Sequence, residues 1–311
     1  MFGLRVPLVQ APMGGVAGPP LVAAAANAGA FGMLPIWFLP PPVAVELIEA
    51  TRARTDKPFA VNLRADLVQL DHIAAALEAG ITIIHLFWGD PAPSMAPIRA
   101  AGARMLATVW DVESTRRALD AGACALIAQG VEAGGHVRGT TPLAELVPQV
   151  REAAPDVPLA AAGALVDGDD VAKVLALGAD AGVLGTRLAA TVESDAHEVY
   201  KQALLDAGDD ATDLSTCFDG LWPDAPHRTL RNSTFTAWDA AGRPPPGARP
   251  GEGDIVFREG GEVFPRYHMA LPTGSAQGDC EAAALYAGSG VGKIHDLPTV
   301  REVIARIANS L

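Results

Sequence analysis

Cysteine is scarce in this chain. Cys124, Cys217 and Cys280 are the three in 311 residues, widely spaced and without a C-x-x-C pair. Neither a disulfide framework nor a zinc site is indicated, and no other metal site is expected. A reduced, cytoplasmic setting fits best. Basic residues are also short, with 23 Lys and Arg against 36 Asp and Glu and a formal net charge of −13. That balance argues against nonspecific binding of nucleic acid and against anionic membrane surfaces. It does not bar an anionic small molecule from a locally positive pocket. Charge is missing altogether between Arg5 and Glu46, which a hydropathy scan could read as a membrane span. Pro7, Pro12, Pro19, Pro20, Pro35 and Pro40 to Pro42 break it up. No run of about 20 helix-forming apolar residues survives, and the marks of a secretory signal are weak. Buried barrel structure is expected there instead. Finally, no G-x-G-x-x-G follows the first apolar run, which disfavours an open dinucleotide-binding sheet.

What the chain does have is apolar residues, 50% of the total, and only 5% aromatics. Small aliphatic side chains suit tightly packed helices on parallel strands. Length allows one large domain or two ordinary ones. Short apolar runs occur at 8–11, 31–35, 59–63, 82–87, 104–109, 124–128, 158–162 and 181–184. Helix-like segments separate them, at 21–28, 43–54, 70–79, 93–101, 112–121, 143–153 and 169–177, with another at 196–207. Ala-Gly pairs recur just before the runs, at Ala28-Gly29, Ala79-Gly80, Ala101-Gly102 and Ala121-Gly122. Such alternation implies an α/β fold with a parallel sheet. Eight units favour a closed (β/α)8 TIM barrel over an open doubly wound sheet.

From about Asp209 the texture changes to Pro, Gly, Arg and Asp, too long a stretch for an ordinary connection. The expected organisation is a barrel over 1–208 and a smaller inserted α+β, loop-rich domain over 209–280 covering the C-terminal face. Helices at 281–286 and 299–311 should then return to the barrel.

The densest chemistry lies in Gln129-Gly130-Val131-Glu132-Ala133-Gly134-Gly135-His136, straight after the sixth run. Glycines let a backbone approach a flat or charged ligand, and His136 follows them. A plain glycine-rich turn with an exposed histidine is the alternative. In a barrel the reactive residues gather at the C-terminal ends of strands, and a phosphate site is common after the last two. Here those two end in Ala162-Gly163-Ala164 and Gly185-Thr186, small residues that expose N–H groups and one hydroxyl. Glu132 reads as a loop tether or a base, and His85 as a core or mouth residue. His197 reads as a helix-surface residue, and Asp167, Asp169 and Asp170 as a helix start. His227-Arg228 and Arg231-Asn232 read either as exposed loop basics or as an anion site.

Ala11-Pro12-Met13, Val61-Asn62-Leu63, the glycine-histidine stretch, Ala162-Gly163 and Gly185-Thr186-Arg187 together resemble the nitronate monooxygenase family, also known as 2-nitropropane dioxygenases. Tyr200-Lys201 and Tyr286-Ala287-Gly288 extend the likeness over most of the chain. The resemblance implies an FMN-binding barrel with a covering domain, oxidising alkyl nitronates such as propionate 3-nitronate with O2. His136 would then be catalytic. Pro12, Met13, Asn62, Thr108, Gln129, Ala133, Gly134, Gly135, Ala162, Gly163, Ala164, Gly185 and Thr186 would surround FMN. Two positions depart from the pattern: Ala164 replaces a usual glycine and Ser289 a frequent glutamine; position 108, often polar or basic in the family, is Thr here. An NAD(P)H-dependent reductase of quinones or enoyl thioesters shares the same motif and remains open. So does a non-catalytic phosphate-ligand barrel. The oligomeric state is open too, a homodimer included.

Overall fold

The computed structural model describes residues 4–311. Eight parallel strands form the central sheet. They are β1 (Leu8–Gln10), β2 (Gly32–Pro35), β3 (Phe59–Arg64), β4 (Ile83–Phe87), β5 (Arg104–Val109), β6 (Ala125–Gln129), β8 (Leu159–Ala162) and β9 (Ala181–Leu184). A two-residue strand, β7 (Gly135–His136), leaves the barrel after β6. Neighbours pair in chain order from β2 to β9, and β9 pairs with β1. A bridge between Val9 and Phe31 joins the two ends, with the Gln10 N–H donating to Phe31 O at 2.8 Å. This is a TIM barrel.

The outer layer comprises α1 (Pro19–Asn27), α2 (Pro41–Arg52), α3 (Leu70–Glu78), α4 (Met95–Ala100), α5 (Val112–Ala121), α6 (Leu143–Ala153) and α7 (Gly168–Ala176). The recurrent Ala-Gly pairs have one cause. Gly29, Gly80, Gly102 and Gly122 all take positive φ as they end a helix and turn the chain toward the next strand, a conformation that costs glycine little. After β9 come a short helix, α8 (Thr186–Ala189), and then α9 (Glu198–Leu205). The outer place between α7 and α1 goes to α11 (Val300–Ala308), which packs against both. A capping box between Thr299 and Glu302 starts that helix.

The segment between α9 and α11 forms, with β7, two small antiparallel sheets. One joins β10 (Thr212–Ser215), β11 (His227–Leu230) and β7; the other joins β12 (Ile255–Glu259), β13 (Glu262–Pro265) and β14 (Gln277–Gly278). Helix α10 (Ser233–Ala240) sits between them in sequence, capped by Asn232. The segment 281–286 departs from its helical expectation. Only a 3-10 turn forms, Cys280–Ala282, and the chain then runs extended. Its alanines favour helix, but tertiary partners claim their carbonyls. Asn232 Nδ2 donates to Ala283 O and Thr234 Oγ1 to Ala282 O, each at 2.7 Å, and the Leu230 N–H donates to Leu285 O at 2.8 Å. Among the described residues no helix is long and apolar enough to cross a membrane.

Candidate active site

Successive residues of a strand face opposite ways. Val9, Met33, Ala60, Ile83, Leu106, Ile127 and Ala160 cluster inside the barrel. Two residues on toward the C-terminal end, that period brings Asn62, His85, Thr108, Gln129 and Ala162 into the next inward layer. Leu106 and its neighbours thus form an apolar plug, with a polar floor above it.

Three residues of that floor are linked across β3, β4 and β5. Asn62 Nδ2 donates to His85 Nδ1 at 3.0 Å, and His85 Nε2 lies 2.7 Å from Thr108 Oγ1. Since Nδ1 accepts, the ring proton is on Nε2 and is given to Thr108. The Thr108 hydroxyl proton is then free to donate elsewhere. Burial pushes the His85 pKa down to about 3, so the relay stays neutral. His227, wholly buried in β11, is the second such histidine. It accepts from the Phe218 N–H and faces the Ala225 carbonyl, at 2.9 Å each, and burial lowers its pKa to about 4.

The ordinary value for both is 6.5, so below it the unfolded chain binds protons that the folded chain refuses. Stability is full above about 6.5 and falls with acid until the folded pKa values are reached. We expect the melting temperature to decline steadily from pH 7 to pH 5, before most carboxylates titrate. A flat profile in scanning calorimetry over that interval would contradict it.

His136 is carried out of the barrel on β7, in register with His227 of β11. Gln129 Nε2 holds its carbonyl at 3.1 Å. Its ring stacks on Trp222, centroids 4.0 Å apart and planes 22° apart, and the Trp88 ring meets it edge-on at 6.0 Å. Arg64, the last residue of β3, lays its guanidinium 3.2 Å from the centroid of the Trp222 ring and is held by Asp66 at 2.6 and 3.1 Å. Burial first, then His227 and Arg64, keep the His136 pKa well below 6.5. The imidazole is therefore neutral near pH 7. Its Nε2 is buried and, among the described residues, has no hydrogen-bond partner; the same holds for Gln129 Oε1.

The glycines of the motif meet a second segment. A methyl group on Gly134 would lie 2.6 Å from Gly288 N and 2.7 Å from Ala287 C, so two backbones touch there. The Gly288 N–H donates to Thr186 Oγ1 at 2.9 Å, and the Ser289 N–H to Glu132 O at 3.0 Å. Glu132 itself accepts the Leu143 N–H with both oxygens, which makes it the loop tether. By contrast, a methyl group on Gly135 would meet nothing within 4 Å, and one on Gly185 only Ala11 and Met13, at 3.5 and 3.8 Å. Ala164 takes φ +54°, the left-handed conformation a glycine would adopt more cheaply.

The residues expected around the cofactor lie at or just beyond the C-terminal ends of the barrel strands. Pro12 and Met13 follow β1, Asn62 and Thr108 lie near the ends of β3 and β5, Gln129 closes β6, and Ala133, Gly134 and Gly135 lead to His136. Ala162 closes β8, Gly163 and Ala164 follow it, and Gly185 and Thr186 follow β9. His227 and Arg228 are not exposed loop basics; Arg231, just past β11, is exposed. His227 is buried, Arg228 donates to Val131 O at 2.9 Å, Arg231 pairs with Asp213 and Asp239, and Asn232 caps α10. Asp167 caps α7, and His197 caps α9. Sequence reasoning missed Arg64 and Trp222, which with Trp88 and Tyr286 wall His136 in. Arg64 carried a signal: a charge closing an apolar strand, two residues after Asn62.

The nitronate monooxygenase family model matches residues 1–91 and 69–310. The chain belongs to this family. A nitronate monooxygenase from Paraburkholderia phytofirmans is 30% identical, covering 100% of this chain and 93% of the relative. A relative from Mycobacterium tuberculosis is also 30% identical, over 99% and 93%, and is named (3aS,4S,5R,7aS)-5-hydroxy-7a-methyl-1-oxo-octahydro-1H-indene-4-carboxyl-CoA dehydrogenase. Among solved structures, FabK from Thermotoga maritima superposes with a TM-score of 0.80 at 25% identity, over 99% of this chain and 93% of that one. A nitroalkane oxidase from Streptomyces ansochromogenes does so at 0.78 and 30%, over 99% and 96%. The family is one of flavin-dependent oxidoreductases.

Proposed function

We propose that this family member oxidises small alkyl nitronates, of which propionate 3-nitronate is one, with O2 and bound FMN. The observation that carries it is His136: half-buried, neutral and with its Nε2 atom buried and unpartnered. A nitronate is already deprotonated, so the protein need only offer its nitro oxygens a donor, which neutral imidazole supplies. A neutral nitroalkane would need a base, and burial has made this one weak. Arg64 adds a fixed positive charge on the other face of Trp222.

The residues present fit FMN. Gln129 Oε1 is an unpartnered buried acceptor, and Gly135 and Gly185 leave room where side chains would stand. Gly163, Ala164, Gly185 and Thr186 would hold the phosphate. The Thr186 oxygen already accepts from Gly288, so its proton is free to donate. Pro12, Met13, Asn62, Thr108, Gln129, Ala133, Gly134, Gly135 and Ala162 would line the rest. When bound, FMN supplies the electron acceptor and the reaction with O2. In this reading residues 209–280 act as the cover, and three free thiols suit the cytoplasm.

The names of the Mycobacterium and Thermotoga relatives favour a second reading, dehydrogenation or reduction of an acyl thioester, with NAD(P)H as a candidate reductant. An anaerobic experiment on flavin-loaded protein separates the two. We expect propionate 3-nitronate to bleach the flavin within seconds and NADH or NADPH to leave it oxidised, with matching O2 uptake in air. Rapid bleaching by pyridine nucleotide alone would reverse the conclusion.

A further inference from the structure

We propose that Trp222 is the specificity-determining residue of this site, restricting it to short, unbranched planar anions. The proposal deepens the nitronate reading and rests on it for the identity of the substrate. Three observations support it.

The first is contact. Trp222 covers one face of the His136 ring at 4.0 Å while Arg64 covers the far face of the indole. Trp88 and Trp37 close its edges at 5.0 and 5.8 Å. Any ligand hydrogen-bonded to His136 Nε2 lies near the imidazole plane, so a substituent rising from that plane on this side strikes indole. Trp222 is 5% exposed, and moving it away would dismantle the stack.

The second is backbone cost. Leu221 and Asp224, flanking Trp222, both take left-handed φ, +72° and +56°, which costs about 1–3 kcal/mol each for residues other than glycine. The turn is pinned nevertheless. Asp219 holds Arg249 through two bonds at 2.7 and 2.9 Å, and the Trp222 N–H donates to Asp219 O at 2.9 Å. Trp88 is left-handed as well, φ +60°.

The third is what lies beyond. A cleft of about 400 Å³ is lined by Trp88, Trp110, Arg138, Thr141, Asp224 and others. Trp88 touches both His136 and the Arg138 guanidinium, the latter at 5.2 Å. The 222–226 turn, with Trp88, therefore partitions the cleft from the histidine. Removing the indole would take away the ring that packs on Trp88 at 5.0 Å, loosen that wall and admit a longer chain.

The test uses flavin-loaded wild type, Trp222→Ala and Trp222→Phe. Linear alkanoates from acetate to octanoate serve as unreactive isosteres of nitronates, with binding read by calorimetry. Nitronates of matching length are assayed in parallel by kcat/KM. Wild type should favour the shortest members. Trp222→Ala should raise the octanoate-to-propionate affinity ratio at least about tenfold, with Trp222→Phe between. A ratio unchanged within about twofold in both variants overturns the proposal, as does failure of every alkanoate to bind. Should Trp222→Ala not fold, Trp222→Phe decides by the same ratio. A shift in alkanoate selectivity without nitronate consumption would sink the nitronate reading and leave the size filter standing. Nitronate consumption with an unchanged length profile would do the reverse.

Discussion

His136→Asn should lower kcat/KM for a nitronate by a factor of about 10² to 10⁴ while the protein keeps its flavin. The two effects separate because ring and backbone of this residue do different things. The backbone is paired with His227 and its carbonyl is held by Gln129, and neither bond needs the imidazole. The ring alone offers Nε2, which none of the described residues uses. Asparagine fills part of the space against Trp222 but places its amide differently. Flavin absorbance per chain and oxygen uptake read out the two halves independently. Wild-type turnover in the variant would remove His136 from the chemistry. With pre-formed nitronate the wild-type profile should show no histidine titration between pH 6 and 8, since the ring is already neutral there.

Gly134→Ala should cost the protein its flavin. The added methyl would lie 2.6 Å from Gly288 N and 2.7 Å from Ala287 C, and neither atom can yield. Residues 287–289 are fixed by the bonds from Ala287 to Arg228, from Gly288 to Thr186 and from Ser289 to Glu132. Overpacking of this kind costs about 1–3 kcal/mol, or a melting temperature lower by roughly 2–10 °C. The displaced segment also carries Thr186 with it. We expect flavin affinity to fall at least about tenfold, which is about 1.4 kcal/mol. Gly102→Ala, at the turn between α4 and β5, is the control. Its φ of +66° exacts similar strain, nothing lies within 4 Å of the new methyl, and it stands away from the site, so flavin should be retained. Equal flavin content and melting temperature in Gly134→Ala and wild type would contradict the argument.

The barrel was legible because its signals are local and repeated. Apolar runs of strand length alternate with helices that stop at Ala-Gly, and each repeat carries the same information. The period of two then places Asn62, His85, Thr108 and Gln129 on one inward layer without further input. What surrounds His136 was not legible, for a physical reason. Trp222 lies in a stretch with no periodicity, and its value arises only when β11 pairs with β7 and brings residues 86 positions apart into contact. His227 looked like a loop base because its burial depends on the same pairing. The alanines at 282–284 misled because intrinsic preference pointed to helix while Thr234, Asn232 and Leu230 took the carbonyls of Ala282, Ala283 and Leu285. Trp88 looked like a strand end, and its left-handed backbone has no mark in sequence beyond the glycine that follows.

The position of α11 sets the order in which this molecule can be assembled. Val303, Ile304 and Ile307 are buried against α1 and α7, so the last panel of the outer wall arrives only after both small sheets have been synthesised. A nascent chain would carry an apolar seam between its first and seventh helices throughout that interval. Closure joins segments from opposite ends of the chain, the kind of contact that makes folding slow and leaves intermediates sticky.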